Sequence, residues 1–256
     1  MTFDALLFDY LLRLADSDLI LAQHLGEWVG HGPVLEEDIA LTNVGLDLLG
    51  QARLWFAYAG EIETRVAGRG RTEDEFALLR EASGFRNLLL VEQPNGNYAQ
   101  TMARQFYFDA WHEPLLARLS HSSDARVAGI AAKGWKEARY HVERSGDWVI
   151  RLGDGTAESH ARMQAAIDDL WTYTGEMFEA DATDVALAAA SIGCDLRALA
   201  PSWRERIGAV LAAATLTLPT TTWMQSGGKR GAHTEHFGHL LAEMQSLPRT
   251  HPGAQW

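Results

Sequence analysis

The spacing of the apolar residues restricts this chain to a largely helical fold. Over long stretches, apolar side chains recur every three or four positions, which places them on one face of an α-helix. This spacing predicts long helices over residues 3–29, 35–67, 98–119, 123–152 and 158–178, with shorter ones near 73–82 and at the C-terminus. Alternation with a period of two is confined to residues near 215–218, where a short strand pair is the most that we expect.

Short connectors separate the predicted helices. The strings "GHGP" (30–33), "GRGR" (68–71), "PNGN" (94–97) and "GDGT" (153–156) are rich in residues that end helices and form turns. Long helices joined in this way favour an antiparallel bundle, so the predicted fold class is all-α. We expect residues 1–256 to form a single domain, because one domain commonly reaches this size.

Charge and cysteine content argue against several classes of partner and location. The chain carries a formal net charge of −12, so its surface as a whole would repel nucleic acid. A single cysteine, Cys194, cannot form an internal disulfide and fits a reducing compartment. Neither a signal-peptide pattern nor an apolar run of about 18 residues is present. We therefore expect a cytoplasmic protein that does not contact a membrane.

Acidic residues stand near the middle of successive long predicted helices. They are Asp16, Asp47, Asp109 and Glu137. A di-iron carboxylate bundle needs a Glu from each of two helices and a Glu-x-x-His pair from each of two others. Both candidate pairs are broken here, because Gly50 stands three residues after Asp47 and His141 stands four residues after Glu137.

Two interpretations of these acidic residues remain open. The chain could be an active di-iron carboxylate oxygenase or a metal-storing bundle. Alternatively, a former metal site survives as a vestigial cluster of buried polar groups, formed by Asp16, Asp47, Asp109, Glu137 and His141. We favour the vestigial cluster, since Gly50 offers no side chain to a metal. We expect these acids to hold protons or to find Arg, His or hydroxyl partners, with Arg53 and Arg139 among the candidates, and close helix packing to explain Gly50.

The C-terminal region contains two further polar strings. "HTEHFGH" (233–239) has three histidines, but their spacing leaves at most two on one helix face, whereas a zinc site needs three or four ligands. A polar helix face is the favoured interpretation. "GGKRG" (227–231) could bind an anion through backbone N–H groups and two cations, although it lacks the strand–loop–helix context of a phosphate loop.

Several long strings resemble one known family. They are "HLGEWVGHGP" (24–33), "ALTNVGLDLLGQAR" (40–53), "NLLLVEQPNGNYA" (87–99), "DAWH" (109–112), "KEARYH" (136–141) and "GGKRGAHTEHFGHLLAEMQ" (227–245). Together they make the chain similar to the C subunits of the bacterial phenylacetyl-CoA epoxidases, also called ring 1,2-phenylacetyl-CoA monooxygenases. The resemblance covers nearly the whole length of the chain.

This resemblance implies a fold and a role. The family has a ferritin-like helical bundle, here with extra C-terminal helices, that lacks the metal and supports a homologous A subunit carrying the di-iron centre. The complex converts phenylacetyl-CoA to its ring 1,2-epoxide with O2 and NADPH electrons during aerobic phenylacetate catabolism. We therefore expect a non-catalytic structural subunit without a cofactor of its own. Its expected partners are the A subunit, the other subunits of the complex and, in isolation, a second copy of itself.

The resemblance also implies contact with phenylacetyl-CoA at the edge of this subunit. The positions that match the family's substrate contacts are Gly84, Phe85, Arg86 and Asn87 in one stretch, and Val185, Ala186 and Leu187 in another. Arg86 could pair with a phosphate of CoA, and Phe85 could stack on its adenine. The alternative is a surface loop that leads into an apolar segment.

Overall fold

The computed structural model describes residues 2–254, and within them it contains helices, turns and loops but no strand. The α-helices are α1 (Phe3–Gly26), α2 (Leu35–Ala67), α3 (Glu73–Leu78), α4 (Tyr98–Leu119), α5 (Ala125–Gly153), α6 (Ala157–Trp171), α7 (Ala182–Ala189), α8 (Ala200–Ala213) and α9 (Glu235–Thr250). Short 3-10 helices occupy Ala82–Gly84, Gly175–Phe178, Leu196–Leu199 and Gly228–Arg230. This content confirms the predicted fold class, an all-α protein of ferritin-like type.

The predicted helix bounds agree with the observed ones for α2 and α4 and lie within two residues for α5. Helix α1 ends earlier than predicted, because the chain turns after Gly26. The carboxylate of Asp38 accepts hydrogen bonds from the backbone N–H groups of Gly30 (2.8 Å) and Gly32 (3.0 Å), which fixes the turn before α2. The predicted helix 158–178 is divided, because α6 ends at Trp171 and the chain resumes only as a 3-10 helix.

The strand pair expected near residues 215–218 does not form. The backbone N–H of Thr217 donates to the side-chain carbonyl of Gln164 (2.8 Å), and the Gln164 amide donates to the Thr217 carbonyl (3.0 Å). A side-chain amide of α6 therefore takes the hydrogen bonds that a neighbouring strand would have supplied.

The chain divides into two compact units. The first consists of the described parts of Met1–Glu92 and Gly227–Trp256. Within it, α1 and α2 run antiparallel, as shown by an ion pair between Asp4 and Arg65 (3.5 Å) at one end and contact between Leu25 and Gly45 towards the other. Phe76 of α3 stacks on Phe56 of α2 with 5.5 Å between ring centroids, which closes the core of this unit.

The second unit, Gln93–Ser226, is held together by aromatic side chains. The Tyr107 hydroxyl of α4 donates to the Ile167 carbonyl of α6 (3.1 Å), and the Trp203 indole of α8 donates to the Tyr107 carbonyl (3.0 Å). Burial, reinforced by Asp168, raises the pKa of Tyr107 well above its ordinary value, so the hydroxyl remains a donor. These bonds fix α6 and α8 against α4. Each unit is thus a compact cluster of packed helices, and the single-domain expectation stays a prediction.

No helix within residues 2–254 combines the length and the apolar character needed to cross a membrane.

Candidate functional site

A buried ion pair organises the stretch that was predicted to contact substrate. Asp16 of α1 is fully enclosed, and its carboxylate pairs with the guanidinium of Arg80. The same carboxylate accepts the backbone N–H of Arg86 at 2.8 Å. Arg80 in turn donates to the carbonyl oxygens of Phe76 and Gly84. Because both partners make several hydrogen bonds, this buried charge pair is a fixed anchor for residues 84–86.

Aromatic rings surround the Arg80 guanidinium. Its central carbon lies 4.0 Å from the centroid of the Phe85 ring, and at longer range it also faces Phe56 and Phe76. Phe85 has no exposed surface and also contacts Phe237, with 5.3 Å between ring centroids. The ring therefore has no face open to an adenine, and the stacking role considered from the sequence is not available to Phe85 in this structure.

A second buried acid fixes the other end of this stretch. Glu92 is fully enclosed, and it accepts the Thr234 N–H at 2.7 Å and the Asn87 amide at 3.1 Å. Its carboxylate also lies 3.0 Å from Nδ1 of His233, whose Nε2 lies 3.3 Å from the Phe85 carbonyl. The loop from Phe85 to Glu92 is thereby held against the segment before α9, and Asn87 is a structural residue with no exposed surface.

The string "GGKRG" packs tightly against that loop instead of forming an open anion cradle. A Cβ added at Gly228 would lie 2.1 Å from the Asn87 carbonyl oxygen. Gly231, with a φ of 76°, would place a Cβ 2.4 Å from the Ser83 carbonyl oxygen. The glycines therefore permit close approach of two backbone segments.

An open cleft of 460 Å³ adjoins the anchored stretch, and we call it the arginine cleft. Its lining includes Gly84, Phe8, Leu12, Arg71, Arg80, Ser83 and Arg86. Each arginine is already paired with a carboxylate: Arg71 with Glu63 (2.7 Å), Arg80 with Asp16, and Arg86 with Asp9 (3.3 Å). Burial works to raise the pKa of Glu63, but hydrogen bonds from Arg71 hold it below its ordinary value. The cleft thus offers guanidinium groups whose charge is largely balanced.

The second stretch predicted to contact substrate lies on α7 in the other unit. Val185 is exposed, Ala186 is half-buried and Leu187 is enclosed in the core. Asp181 caps this helix by accepting the N–H groups of Thr183 and Asp184. Of the residues predicted to contact substrate, Gly84, Arg86, Val185 and Ala186 therefore have surface to offer, and the contact itself stays a prediction.

Part of the predicted vestigial cluster forms a buried polar site between α4 and α5. Asp109 is enclosed, and its two carboxylate oxygens accept hydrogen bonds from the Gln105 amide (2.7 Å) and the Ser145 hydroxyl (2.8 Å). Burial raises the pKa of Asp109 from 3.8 to about 6, against the opposing effects of His141 and these two hydrogen bonds. The carboxyl is therefore held by neutral protein donors.

Two histidines lie on the helices that form this site, His112 on α4 and His141 on α5. His112 and His141 are both buried, and burial, reinforced by His141, lowers the pKa of His112 from 6.5 to about 3. The His112 ring lies 4.8 Å from that of Phe108, centroid to centroid. At neutral pH, His112 is thus an uncharged member of an aromatic cluster.

The remaining members of the proposed cluster have different environments. Asp47 and Glu137 are half-buried, and Asp16 is the partner of Arg80. Of the expected partners, the candidates Arg53 and Arg139 are both exposed, whereas a hydroxyl partner is present for Asp109 in Ser145. The close packing expected at Gly50 is also absent, because an added Cβ would meet nothing within 4 Å.

In the part of the chain that the structure describes, potential metal ligands do not converge. No group of three or more His, Cys, Asp or Glu among residues 2–254 is placed to hold a metal ion. In the C-terminal string, His233 faces Glu92, His236 is half-buried and His239 is exposed. Burial raises the pKa of Cys194 to about 12, so its thiol is protonated near neutral pH and is a poor nucleophile.

Sequence reasoning did not identify Arg80 or Glu92 as organising residues. The signal available for Glu92 was a lone acid in the apolar run "LLLVEQ", which demands a buried partner. Arg80 carried no comparable signal, because its partner Asp16 lies 64 positions away along the chain.

Comparison with known proteins identifies the family to which this chain belongs. A family model described as "Phenylacetic acid catabolic protein" matches residues 3–256, and the chain belongs to this family. One relative is the Escherichia coli (strain K12) protein named as the C subunit of 1,2-phenylacetyl-CoA epoxidase. It is 52% identical over 247 residues, which cover 96% of this chain and 98% of that protein. The resemblance inferred from the sequence strings is thereby confirmed.

Proposed function

We propose that this chain is a non-catalytic structural subunit of a multicomponent phenylacetyl-CoA 1,2-epoxidase. Its place in such a complex is supported by membership of the phenylacetic acid catabolic family. It is also supported by 52% identity to the C subunit of an epoxidase over almost the full length of both chains. In this role it supports a homologous subunit that carries the di-iron centre, while O2 and NADPH electrons are supplied to that subunit.

The state of Asp109 carries the non-catalytic part of the proposal. Both of its carboxylate oxygens are occupied by the protein donors Gln105 and Ser145, and Gly50 supplies no ligand on α2. A ferritin-like metal pair needs carboxylates directed at the metal together with imidazole ligands from the Glu-x-x-His pairs. The residues of this chain are therefore arranged as a hydrogen-bonded interior.

Reconstitution with the homologous di-iron subunit and the reductase tests this role. We expect the complex to epoxidise phenylacetyl-CoA with O2 and NADPH, and iron to follow the amount of the di-iron subunit. In the complex, Asp109→Asn keeps the hydrogen-bonding shape and should leave turnover within about twofold of wild type. Exposed Asp147→Asn is the matched control on α5. Two irons on this chain purified alone, together with loss of turnover in Asp109→Asn only, would contradict the proposal.

We further propose that the arginine cleft receives part of the CoA moiety, with Arg86 at its edge. Support comes from the position of Gly84 and Arg86 on the lining of the cleft. In the reconstituted complex, Arg86→Met should raise KM for phenylacetyl-CoA several-fold and leave kcat nearly unchanged, because it removes binding without touching the reacting ring. Arg65→Met, which removes an exposed arginine in the same unit, is the control. Equal kinetic constants for both variants would dismiss this contact.

A further inference from the structure

The imidazole of His233 lies between two oxygen atoms of the loop Phe85–Glu92. Its Nδ1 is 3.0 Å from a carboxylate oxygen of Glu92, and its Nε2 is 3.3 Å from the carbonyl oxygen of Phe85. Only 6% of the His233 side chain is exposed, and none of the Glu92 side chain. A neutral imidazole carries a hydrogen on one ring nitrogen, whereas an imidazolium donates from both. The protonation of His233 therefore decides how it is bonded to this loop.

The contact with Phe85 fixes the position of one hydrogen. A carbonyl oxygen can only accept, so Nε2 of His233 must carry a hydrogen for this contact to be favourable. The hydrogen between His233 and Glu92 then has two possible positions. On Nδ1 it gives an imidazolium paired with a carboxylate, and on the carboxyl it gives a neutral pair.

The other partners of Glu92 favour its ionised form. One carboxylate oxygen accepts the backbone N–H of Thr234 at 2.7 Å, and the other accepts the Asn87 amide at 3.1 Å. Thr234 is the N-cap residue of α9, so the carboxylate lies at the positive end of that helix. N–H donors and a helix N-terminus both stabilise a carboxylate. Glu92 is therefore suited to accept a third N–H group, from Nδ1 of His233.

An aromatic ring beside the imidazole favours the same charge state. The His233 ring stacks on the Phe237 ring, with 4.2 Å between the ring centroids and 30° between the ring planes. The face of an aromatic ring attracts a cation, and the attraction is stronger where water is excluded. The stacking with Phe237 therefore stabilises an imidazolium more than a neutral imidazole.

The charge that balances this imidazolium comes from Glu92. Arg80 and Arg86, the cations nearest to the loop, are each paired with a carboxylate of α1. The other charged or titratable residues on the segments that adjoin His233 are Lys229, Arg230, Glu235 and His236. Since Glu92 is the acid in hydrogen-bonding contact with the imidazole, the two side chains can be buried together without net charge.

We propose that His233 is an imidazolium whose ion pair with Glu92 holds the loop Phe85–Glu92 against the segment before α9. Loss of its proton leaves a ring nitrogen lone pair facing an oxygen inside the protein, so the loop loosens as the pH rises. The Phe85 carbonyl also accepts Nη1 of Arg86 at 2.8 Å, so loosening extends to the edge of the arginine cleft. This inference stands apart from the proposed epoxidase role, because it concerns how the first unit is held together.

Nuclear magnetic resonance of the protein with isotope-labelled histidine tests the charge state. At about pH 7.5, where a free imidazole is largely neutral, we expect both ring nitrogens of His233 to carry a hydrogen. The signals are assigned by their loss in His233→Gln, and His239, exposed on α9, provides the reference for an imidazole in water. A His233 ring with a hydrogen on one nitrogen only, as in the neutral pair, overturns the proposal.

Hydrogen exchange tests the role of the ion pair in the loop. Raising the pH from about 7 to about 10 should lower the protection factors of residues 85–92 about tenfold or more relative to those of α2, because the folded state gives up a proton that it holds more tightly than the unfolded chain. Glu92→Gln should lower protection already at about pH 7 and remove this pH dependence, because the imidazolium then has no counterion. Glu243→Gln, an exposed acid on α9, is the matched control.

Two results of the exchange experiment would contradict the proposal. One is protection of residues 85–92 that does not change with pH in the wild type. The other is the same pH dependence in Glu92→Gln as in Glu243→Gln. If Glu92→Gln does not fold, the resonance measurement and the exchange of the wild-type protein still decide the matter, since neither requires a variant at Glu92.

Discussion

Two buried acids of this protein are stabilised in different ways. Asp16 is neutralised by the guanidinium of Arg80, so its charge has a direct counterion. Asp109 has only neutral donors in hydrogen-bonding contact, and burial raises its pKa to about 6. Burial disfavours the ionised form of a carboxyl, whereas a close cation favours it. The two acids should therefore respond differently to mutation of their partners.

Replacing Asp109 should alter how stability depends on pH. The folded-state pKa of about 6 lies above the ordinary value of 3.8, so the folded wild type binds more protons between these values. Below about pH 4, Asp109 is protonated in both the folded and the unfolded state and does not change the free energy of unfolding. As the pH rises from about 4 to 6, the free energy of unfolding falls, and above about 6 the loss stays constant. Asp109→Asn removes this loss and should stabilise the protein at pH 8 by on the order of 3 kcal/mol.

Chemical denaturation at pH 4.5 and pH 8 would measure this effect. We expect the gain of Asp109→Asn over wild type to shrink as the pH falls towards 4.5. Asp147→Asn, at an exposed position on the same helix pair, should show no such trend. If Asp109→Asn raises the free energy of unfolding equally at both pH values, the pKa of Asp109 in the folded protein is not raised to about 6.

Removing Arg80 should be far more damaging than removing an exposed arginine. Arg80→Met leaves Asp16 as an uncompensated buried charge, which typically costs about 3–5 kcal/mol. Arg65→Met breaks an exposed pair with Asp4 and should cost about 1 kcal/mol or less. Urea denaturation of both variants gives the comparison. If the two variants unfold at similar urea concentrations, the Asp16–Arg80 pair does not stabilise the fold.

The sequence allowed the buried acids Asp16 and Asp109 to be recognised, but neither their partners nor the role of Glu92. Asp16 and Asp109 stand among apolar residues at helical spacing, which marks them as interior. The periodicity of a helix identifies the face that a residue occupies, but not what lies across from that face. For this reason the sequence does not predict Arg80 as the partner of Asp16. Arg53, which is close in sequence to Asp47, is a candidate partner by sequence but lies on the exposed side of α2.

At the scale of elements, the helices were predictable and the loops between them were not. The bounds of α2 and α4 follow from apolar spacing, turn residues and capping residues, all of which are local. The loop Phe85–Glu92 has no period, and it takes its shape from Ser17, Glu92 and residues near 228–234. Such contacts join segments that are distant in sequence, so no local sequence pattern predicts them.

Adding one methyl group at Gly228 should separate the two loops. The new Cβ of Gly228→Ala would lie 2.1 Å from the Asn87 carbonyl oxygen, so backbone must shift, and we expect a loss of about 1–3 kcal/mol. Gly238→Ala lies on α9, where an added Cβ meets nothing within 4 Å, and should stabilise slightly. Thermal denaturation compares the two. Similar melting temperatures would show that residues 228 and 87 are not in close contact.

At the scale of the molecule, the first unit is assembled from both ends of the chain. Residues before 93 supply α1 to α3, while α9 is supplied from beyond residue 226. The second unit is continuous in sequence. Apolar periodicity indicates which segments are helices but carries no information about which helices share a core. The assignment of α9 to the first unit therefore required the three-dimensional contacts.

Removing the C-terminal segment should therefore disturb the first unit selectively. Truncation after Ser226 takes away His233 and Thr234, the partners of buried Glu92. It also removes Gln245, whose amide donates to the Ala77 and Arg80 carbonyls at 3.1 Å. We expect amides of residues 73–92 to lose protection from hydrogen exchange by about tenfold or more, because their buried polar groups are left without partners.

Hydrogen-exchange mass spectrometry can follow both units at once. Amides of α4 and α5 should retain their protection, since the Tyr107–Trp203 and Asp109–Ser145 contacts lie wholly within the second unit. A truncation after Thr250, which keeps α9 intact, is the control and should protect residues 73–92 as the full chain does. Equal loss of protection in both units would instead show that the chain unfolds as one cooperative body and that the continuous unit cannot hold its structure alone.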